Sequence, residues 1–145
     1  MIYLDTSAFI KLYFLEKGSP YVQSCVASQD EPLPIWDLLE AEVTNACRLK
    51  AFWGDITPTQ ADEQLALFQQ RVRRGQYFLA EIDRSALMGS FRELSAQTPQ
   101  LGCRTIDILH VACAMQLAPE RFISYDERQR NLAKNAGLTV LPEAA

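Results

Sequence analysis

Ile2-Tyr3-Leu4-Asp5-Thr6-Ser7-Ala8 decides the fold: three apolar residues, an acid and two hydroxyls, followed by the apolar positions Ala8, Phe9, Ile10, Leu12 and Tyr13. A short apolar run that stops at an acid and passes into helical spacing predicts a buried strand feeding a helix. Asp5 then stands at the carboxyl end of that strand. The same alternation recurs along the chain. Extended segments are predicted at 32–36, 77–82, 122–124 and 138–141, and each is separated from the next by amphipathic helical pattern. Short apolar strands alternating with helices predict an α/β protein whose parallel sheet is covered by helices on both faces.

The helix boundaries carry local signals. Ser19-Pro20 offers a hydroxyl cap and a first-turn proline to a helix running to about residue 28. Asp37 can cap a long helix to about residue 52, with Glu42 near its start. Thr57-Pro58-Thr59-Gln60 announces a further helix ending around Gly75, Asp83 caps another through residue 94, and Gly137 stops the one over 127–135. Residues 98–102 read as a loop. The helix over 106–117, opened by Thr105, is apolar on nearly all sides and is expected to pack between layers. Asp107 interrupts it. An unpaired buried carboxylate is costly, so this acid demands a partner.

Sites in open parallel sheets form at the carboxyl ends of strands, where the winding reverses direction. If the first and fourth strands are neighbours there, Asp5 and Asp126 face one crevice, and Asp107 and Glu42, both near helix starts, point toward the same edge. For any one of these acids taken alone, a helix cap or a solvated charge is an equally good reading. His110 is the only histidine, which excludes a histidine-rich zinc site. It is expected to be a packed residue without a catalytic role.

The 145 residues suffice for one domain with its own core, 1–145, without disulfides or structural metal. Cys25, Cys47, Cys103 and Cys113 form no paired ligand set and are expected to be reduced, buried thiols. Neither a signal segment nor a membrane-spanning window is present, which predicts a cytoplasmic protein with no membrane partner. The 18 acids against 14 bases give a net charge of −4 and a pI near 5.0, which disfavours a broad basic face for nucleic acid. That excess equals the four acids named above, so the rest of the chain is close to neutral. Arg71, Arg73, Arg74, Arg104, Arg128 and Arg130 remain candidates for phosphate contacts, with Arg104 the best placed beside Asp107. Core burial is the default expectation for the aromatic residues, whereas an exposed one such as Trp53 is a candidate to stack on a base or to pack against a dimer partner.

In order and spacing, Ile2-Tyr3-Leu4-Asp5-Thr6-Ser7-Ala8, Glu42 with Ala46 and Arg48, Asp107-Ile108-Leu109-His110-Val111-Ala112-Cys113-Ala114, and Ser124-Tyr125-Asp126 with Gly137-Leu138 resemble the PIN-domain nucleases. The resemblance is greatest to the VapC-type toxins of type II toxin–antitoxin pairs, and it runs from Ile2 to about Leu141. It implies a three-layer α/β/α sandwich with a five-stranded parallel sheet in the order 3-2-1-4-5. It also implies a homodimer, endonucleolytic cleavage of RNA and inhibition by a cognate antitoxin. Carried over residue by residue, it makes Asp5, Glu42, Asp107 and Asp126 the catalytic and metal-binding acids, with Ser7 and Ser124 as supporting hydroxyls. Glu42 is preferred to Glu40 because Ala46 and Arg48 follow it at the matching spacing. The family more often carries threonine where Ser124 stands.

The chemistry of phosphodiester hydrolysis suits such a set. It requires an activated water and stabilisation of negative charge on the phosphoryl oxygens, and hard divalent cations such as Mg²⁺ or Mn²⁺, which take oxygen ligands, supply both. Two other classes compete. A nuclease-like fold that has become a binding module would act through a protein-binding face. A receiver-like signalling domain would need a phospho-accepting acid at the end of strand three, where Asp83 is the candidate, and a lysine after strand five, where Pro142-Glu143 stands instead.

Overall fold

The computed structural model describes residues 1–144. Five strands and eight α-helices follow one another: β1 (Ile2–Leu4), α1 (Thr6–Phe9) running into a 3-10 turn (Ile10–Leu12), α2 (Ser19–Ala27), β2 (Leu33–Ile35), α3 (Asp37–Phe52), α4 (Pro58–Arg73), β3 (Tyr77–Leu79), α5 (Arg84–Ser95), α6 (Thr98–Leu101), α7 (Thr105–Leu117), β4 (Arg121–Ile123), α8 (Glu127–Asn135) and β5 (Val140–Leu141). Every strand pairing is parallel. The ladders make two sheets, one ordered β1-β4-β5 and one pairing β2 with β3. The neighbours 1-4, 4-5 and 3-2 of the expected order are therefore present, in a three-stranded and a two-stranded sheet.

Chain contacts group into two compact units. The first holds Met1–Ala8 and the chain from Glu81 onward; the second is Phe9–Ala80. In the first, Ile2, Tyr3 and Leu4 of β1 lie opposite Arg121, Phe122 and Ile123 of β4, and the ladder extends to Asp5, whose amide donates to the Ile123 carbonyl at 3.2 Å. Tyr3 and Phe122 stack with ring centroids 5.4 Å apart. Helix α7 packs against α5 and α8. Its Ile108, Val111, Ala112, Cys113 and Ala114 are buried, while Ile106 and Met115 reach the surface near its two ends. A helix with so little amphipathic contrast can be stable only where other elements cover most of its circumference. Ala118, in the left-handed region at φ 49°, ends it.

In the second unit, β2 and β3 pair from Leu33 opposite Tyr77 to Ile35 opposite Leu79. Helices α3 and α4 pack together, and an aromatic cluster of Phe9, Tyr13, Phe68 and Tyr77 fills the core. Tyr13 and Tyr77 share a hydroxyl hydrogen bond of 2.7 Å, and the Arg71 guanidinium lies over the Tyr13 ring and donates to the Tyr77 oxygen.

Several boundaries differ from expectation. Thr57 and Gln60 close the anticipated capping box on α4. Ser19, by contrast, is the first residue of α2 and not its cap; Gly18 takes that place at φ 93°, and the Ser19 hydroxyl instead donates to the Phe14 carbonyl. Trp36 precedes α3 at the cap position, leaving Asp37 inside the first turn. Residues 98–101 form the short helix α6, with Gly102 in the left-handed region at its end, because Thr98-Pro99 starts a helical turn as readily as a loop. Strand β3 stops at Leu79, and β5 spans only Val140–Leu141. All four cysteines are buried and free. Among the described residues no helix is long and apolar enough to cross a membrane.

Candidate functional site

The carboxyl ends of β1 and β4 lie side by side, and the acid that follows each strand is the origin of the site. Asp5 is almost fully buried. Its Oδ1 accepts from the Ser7 hydroxyl at 2.7 Å and the Ala8 amide at 2.9 Å, and its Oδ2 from the Ser124 hydroxyl at 2.5 Å. Burial pushes the Asp5 carboxyl above its ordinary range, outweighing the opposing pull of the nearby His110 and of the three hydrogen bonds. Ser7 in turn accepts from the Tyr125 amide at 2.8 Å, and Ser124 accepts from the Asp126 amide at 3.1 Å. The two serines thus tie the end of β1 to the turn after β4.

Asp126 caps α8, accepting from the Gln129 amide at 3.0 Å through Oδ1. Its Oδ2 accepts from Arg104 at 3.0 Å. Asp107, in the first turn of α7, has no solvent-accessible surface. It receives the Arg104 amide at 2.8 Å, two guanidinium contacts at 3.2 and 3.3 Å, and the Gln129 side-chain amide at 3.4 Å. Burial drives the Asp107 carboxyl upward, but the hydrogen bonds and charge of Arg104, with the contact from Gln129, more than reverse this and hold it below the usual range. Arg104, although 61% exposed in its side chain, spans both carboxylates.

Asp5, Ser7, Ser124, Arg104, Asp107 and Asp126 therefore belong to one hydrogen-bonded network within the first unit. Glu42 belongs to the other unit. That residue is half-buried on α3, where Glu40 accepts from Gln69 at 3.3 Å. Among the described residues no three His, Cys, Asp or Glu side chains converge closely enough to hold one metal ion as they stand. The donors nevertheless suit a hard divalent cation. The set is carboxylate oxygen throughout, and beside it the buried Gln129 Oε1 has no hydrogen-bond partner.

Gln129 is the contributor that sequence reasoning missed. The signal was present, because Asp126-x-x-Gln129 has the spacing of an acid cap followed by a glutamine three residues on. His110, 1% exposed, stands behind the site with its Nδ1 2.7 Å from the Tyr3 hydroxyl and its Nε2 3.3 Å from Thr6 Oγ1, as a packed residue would. Two other candidates for phosphate contact are otherwise engaged: Arg71 on Tyr13 and Tyr77, and Arg130, buried, on the carbonyls of Ser124, Leu141 and Pro142. Asp83 caps α5 through the Ala86 amide. Trp53 is 62% exposed at the end of α3, because a side chain at the cap position lies beyond the helix's buried stripe.

No family model matches the chain. It is 27% identical over 142 residues to the ribonuclease VapC46 of Mycobacterium tuberculosis, covering 97% of this chain and 95% of that protein. Its fold is similar to that of M. tuberculosis VapC20, a toxin that cleaves the sarcin–ricin loop, with a TM-score of 0.68 at 13% identity over 96% of this chain and 97% of that one. It is also similar to VapBC2 of Rickettsia felis bound to a fragment of promoter DNA, at TM-score 0.67 and 14% identity over 97% of each chain. VapBC-1 of nontypeable Haemophilus influenzae scores 0.66 at 16% identity, over 97% of this chain and 96% of that one. The chain is therefore similar in sequence, along nearly its whole length, to a VapC ribonuclease, and it shares its fold with VapC-type proteins.

Proposed function

We propose that the chain is a Mg²⁺- or Mn²⁺-dependent endoribonuclease, a single nuclease domain acting in the cytoplasm as the toxin of a type II toxin–antitoxin pair. The observation that carries this is the network joining Asp5, Asp107 and Asp126 at the adjacent ends of β1 and β4 and the head of α7. Three acids drawn from distant parts of the sequence share hydrogen-bonding partners there. Two of them are buried, at a cost that a purely structural role could have avoided with an apolar residue. Kinship with a curated ribonuclease supports the reaction class, and the VapBC assemblies among the structural neighbours support an antitoxin partner.

In this reading Asp5, Asp107 and Asp126 hold the cation, and Glu42 is the fourth acid. When bound, the divalent ion supplies charge neutralisation for the phosphate and activation of the attacking water. The chain's own groups do the positioning. Ser7 and Ser124 fix both oxygens of Asp5, and Gln129 and the Arg104 amide orient Asp107. The exposed guanidinium of Arg104 is the phosphate-binding group, for which its fork of donors is suited. The side chains of Phe52 and Trp53, 83% and 62% exposed in the second unit, are the kind of surface that a second copy or an antitoxin covers.

The test is end-sequencing of cellular RNA after brief expression of the wild type beside Asp5→Ala. New 5′ ends at defined sites in the wild type alone are expected. The same ends in both, or in neither, would remove the assignment.

A further inference from the structure

Arg104 makes more contacts in the site than a phosphate-binding residue needs. Its side chain reaches Asp107 Oδ1 at 3.2 Å, Asp107 Oδ2 at 3.3 Å and Asp126 Oδ2 at 3.0 Å, so one guanidinium neutralises both carboxylates. Asp107 is wholly buried, and a lone carboxylate there would be strongly disfavoured. Among the described residues Lys11 and Arg130 are the only buried lysine or arginine, and the buried His110 lies against Tyr3 and Thr6. Lys11 is paired with Glu16, and Arg130 is spent on backbone carbonyls, so neither neutralises this pair. The Arg104 side chain is itself 61% exposed and is held by its charged tip, so it can turn into solvent without opening the core. Gln129 Oε1, buried beside Asp107 and without a hydrogen-bond partner, is a hard oxygen that the guanidinium leaves unused.

We propose that Arg104 is the resident counter-cation of the Asp107 and Asp126 carboxylates and that a divalent cation enters only by displacing it. The inference rests on the metal-binding reading above. Its physical basis is competition: the guanidinium keeps its charge at every accessible pH, and a second cation brought to the oxygens it already binds at hydrogen-bond distance meets its repulsion. Displacement has a second consequence. The arginine that stabilises the site without metal becomes a free fork of donors at its rim once metal is bound, at the moment a phosphate is to be held. Metal binding and arginine release are then linked, each favouring the other.

The experiment is a calorimetric Mn²⁺ titration of the full chain and of Arg104→Gln, Arg104→Lys and Asp107→Asn. Removing the competing charge is expected to tighten Mn²⁺ binding about tenfold in Arg104→Gln, whereas Arg104→Lys stays near the wild type and Asp107→Asn loses the site. Equal or weaker binding in Arg104→Gln, with Asp107→Asn still defective, would overturn the competition while leaving the metal site standing. No Mn²⁺ binding by any of the four would remove the metal site itself. A second measurement needs no variant: phenylglyoxal modification of the wild type, followed by peptide mapping with the exposed Arg128 as internal reference. Saturating Mn²⁺ should raise Arg104 labelling severalfold relative to Arg128, and an unchanged ratio contradicts the proposal even if the variants do not fold.

Discussion

The Ser124 hydroxyl donates to Asp5 Oδ2 at 2.5 Å across 119 residues of sequence and simultaneously accepts the Asp126 amide. One small side chain therefore fixes the acid that ends β1 and the backbone of the acid that follows β4. Ser124→Ala leaves a buried carboxylate oxygen short of a donor and is expected to destabilise the fold by about 1–3 kcal/mol. Urea denaturation measures this, and an unchanged midpoint would show that the bond contributes nothing.

Behind the site, the Tyr3 hydroxyl and His110 Nδ1 lie 2.7 Å apart, both side chains essentially buried. Tyr3→Phe keeps the ring stacked on Phe122 and removes the hydroxyl that meets His110 and Cys113. A loss of about 1–3 kcal/mol is expected, the cost of orphaning a buried polar atom. If the imidazole is merely packed, as we hold, the variant retains its cleavage rate at a temperature where it is fully folded.

How much of this was legible in the sequence follows from the range of each interaction. Strand β1, the box at Thr57 and Gln60, the cap at Asp83 and the apolar helix α7 are local patterns, and each stands where the pattern put it. Adjacency of Asp5 and Asp126 was inferable from the expected reversal of winding, and the β1-β4 ladder realises it. The pairing of Arg104 with both Asp107 and Asp126 was not inferable, because the second contact spans 22 residues and depends on where α8 begins relative to α7. Arg104 as a site residue was legible, but its guanidinium bridge was not. Nor does the sequence distinguish Arg130, buried under four backbone carbonyls, from the exposed Arg128 two positions earlier. On an amphipathic helix that difference is one of facing, which only the packed structure decides.

Arg130 makes its own prediction. Its guanidinium joins the Ser124 carbonyl at the end of β4 to those of Leu141, Pro142 and Glu143 beyond β5. Arg130→Ala is expected to cost about 3 kcal/mol, since it leaves buried acceptors without a charged donor. Arg130→Lys recovers only part of this, because an ammonium cannot reproduce the planar fork. Limited proteolysis with mass mapping should show earlier cutting near residue 141 in both variants, more so in the alanine form.

In the second unit, burial first and Tyr77 second push the Tyr13 hydroxyl above its usual value of 10.0, with Arg71 pulling weakly the other way. The unfolded chain therefore releases this proton at a lower pH than the folded chain does. The associated stability is fully present below pH 10 and is lost as pH rises beyond it. Denaturation midpoints recorded from about pH 8 to 11 should fall for the wild type, and less steeply for Tyr13→Phe. Parallel slopes would mean that Tyr13 ionises alike in both states.

The central claim, that Asp107 belongs to a metal-dependent nuclease site, is tested most directly by incubating a structured RNA with the purified chain in millimolar Mn²⁺. Parallel reactions contain excess EDTA or Asp107→Asn, each protein verified as folded by circular dichroism. Cleavage by the wild type that EDTA abolishes, and that the variant lacks by at least two orders of magnitude, is the predicted result; undiminished cleavage by Asp107→Asn, or cleavage that persists in EDTA, would contradict it.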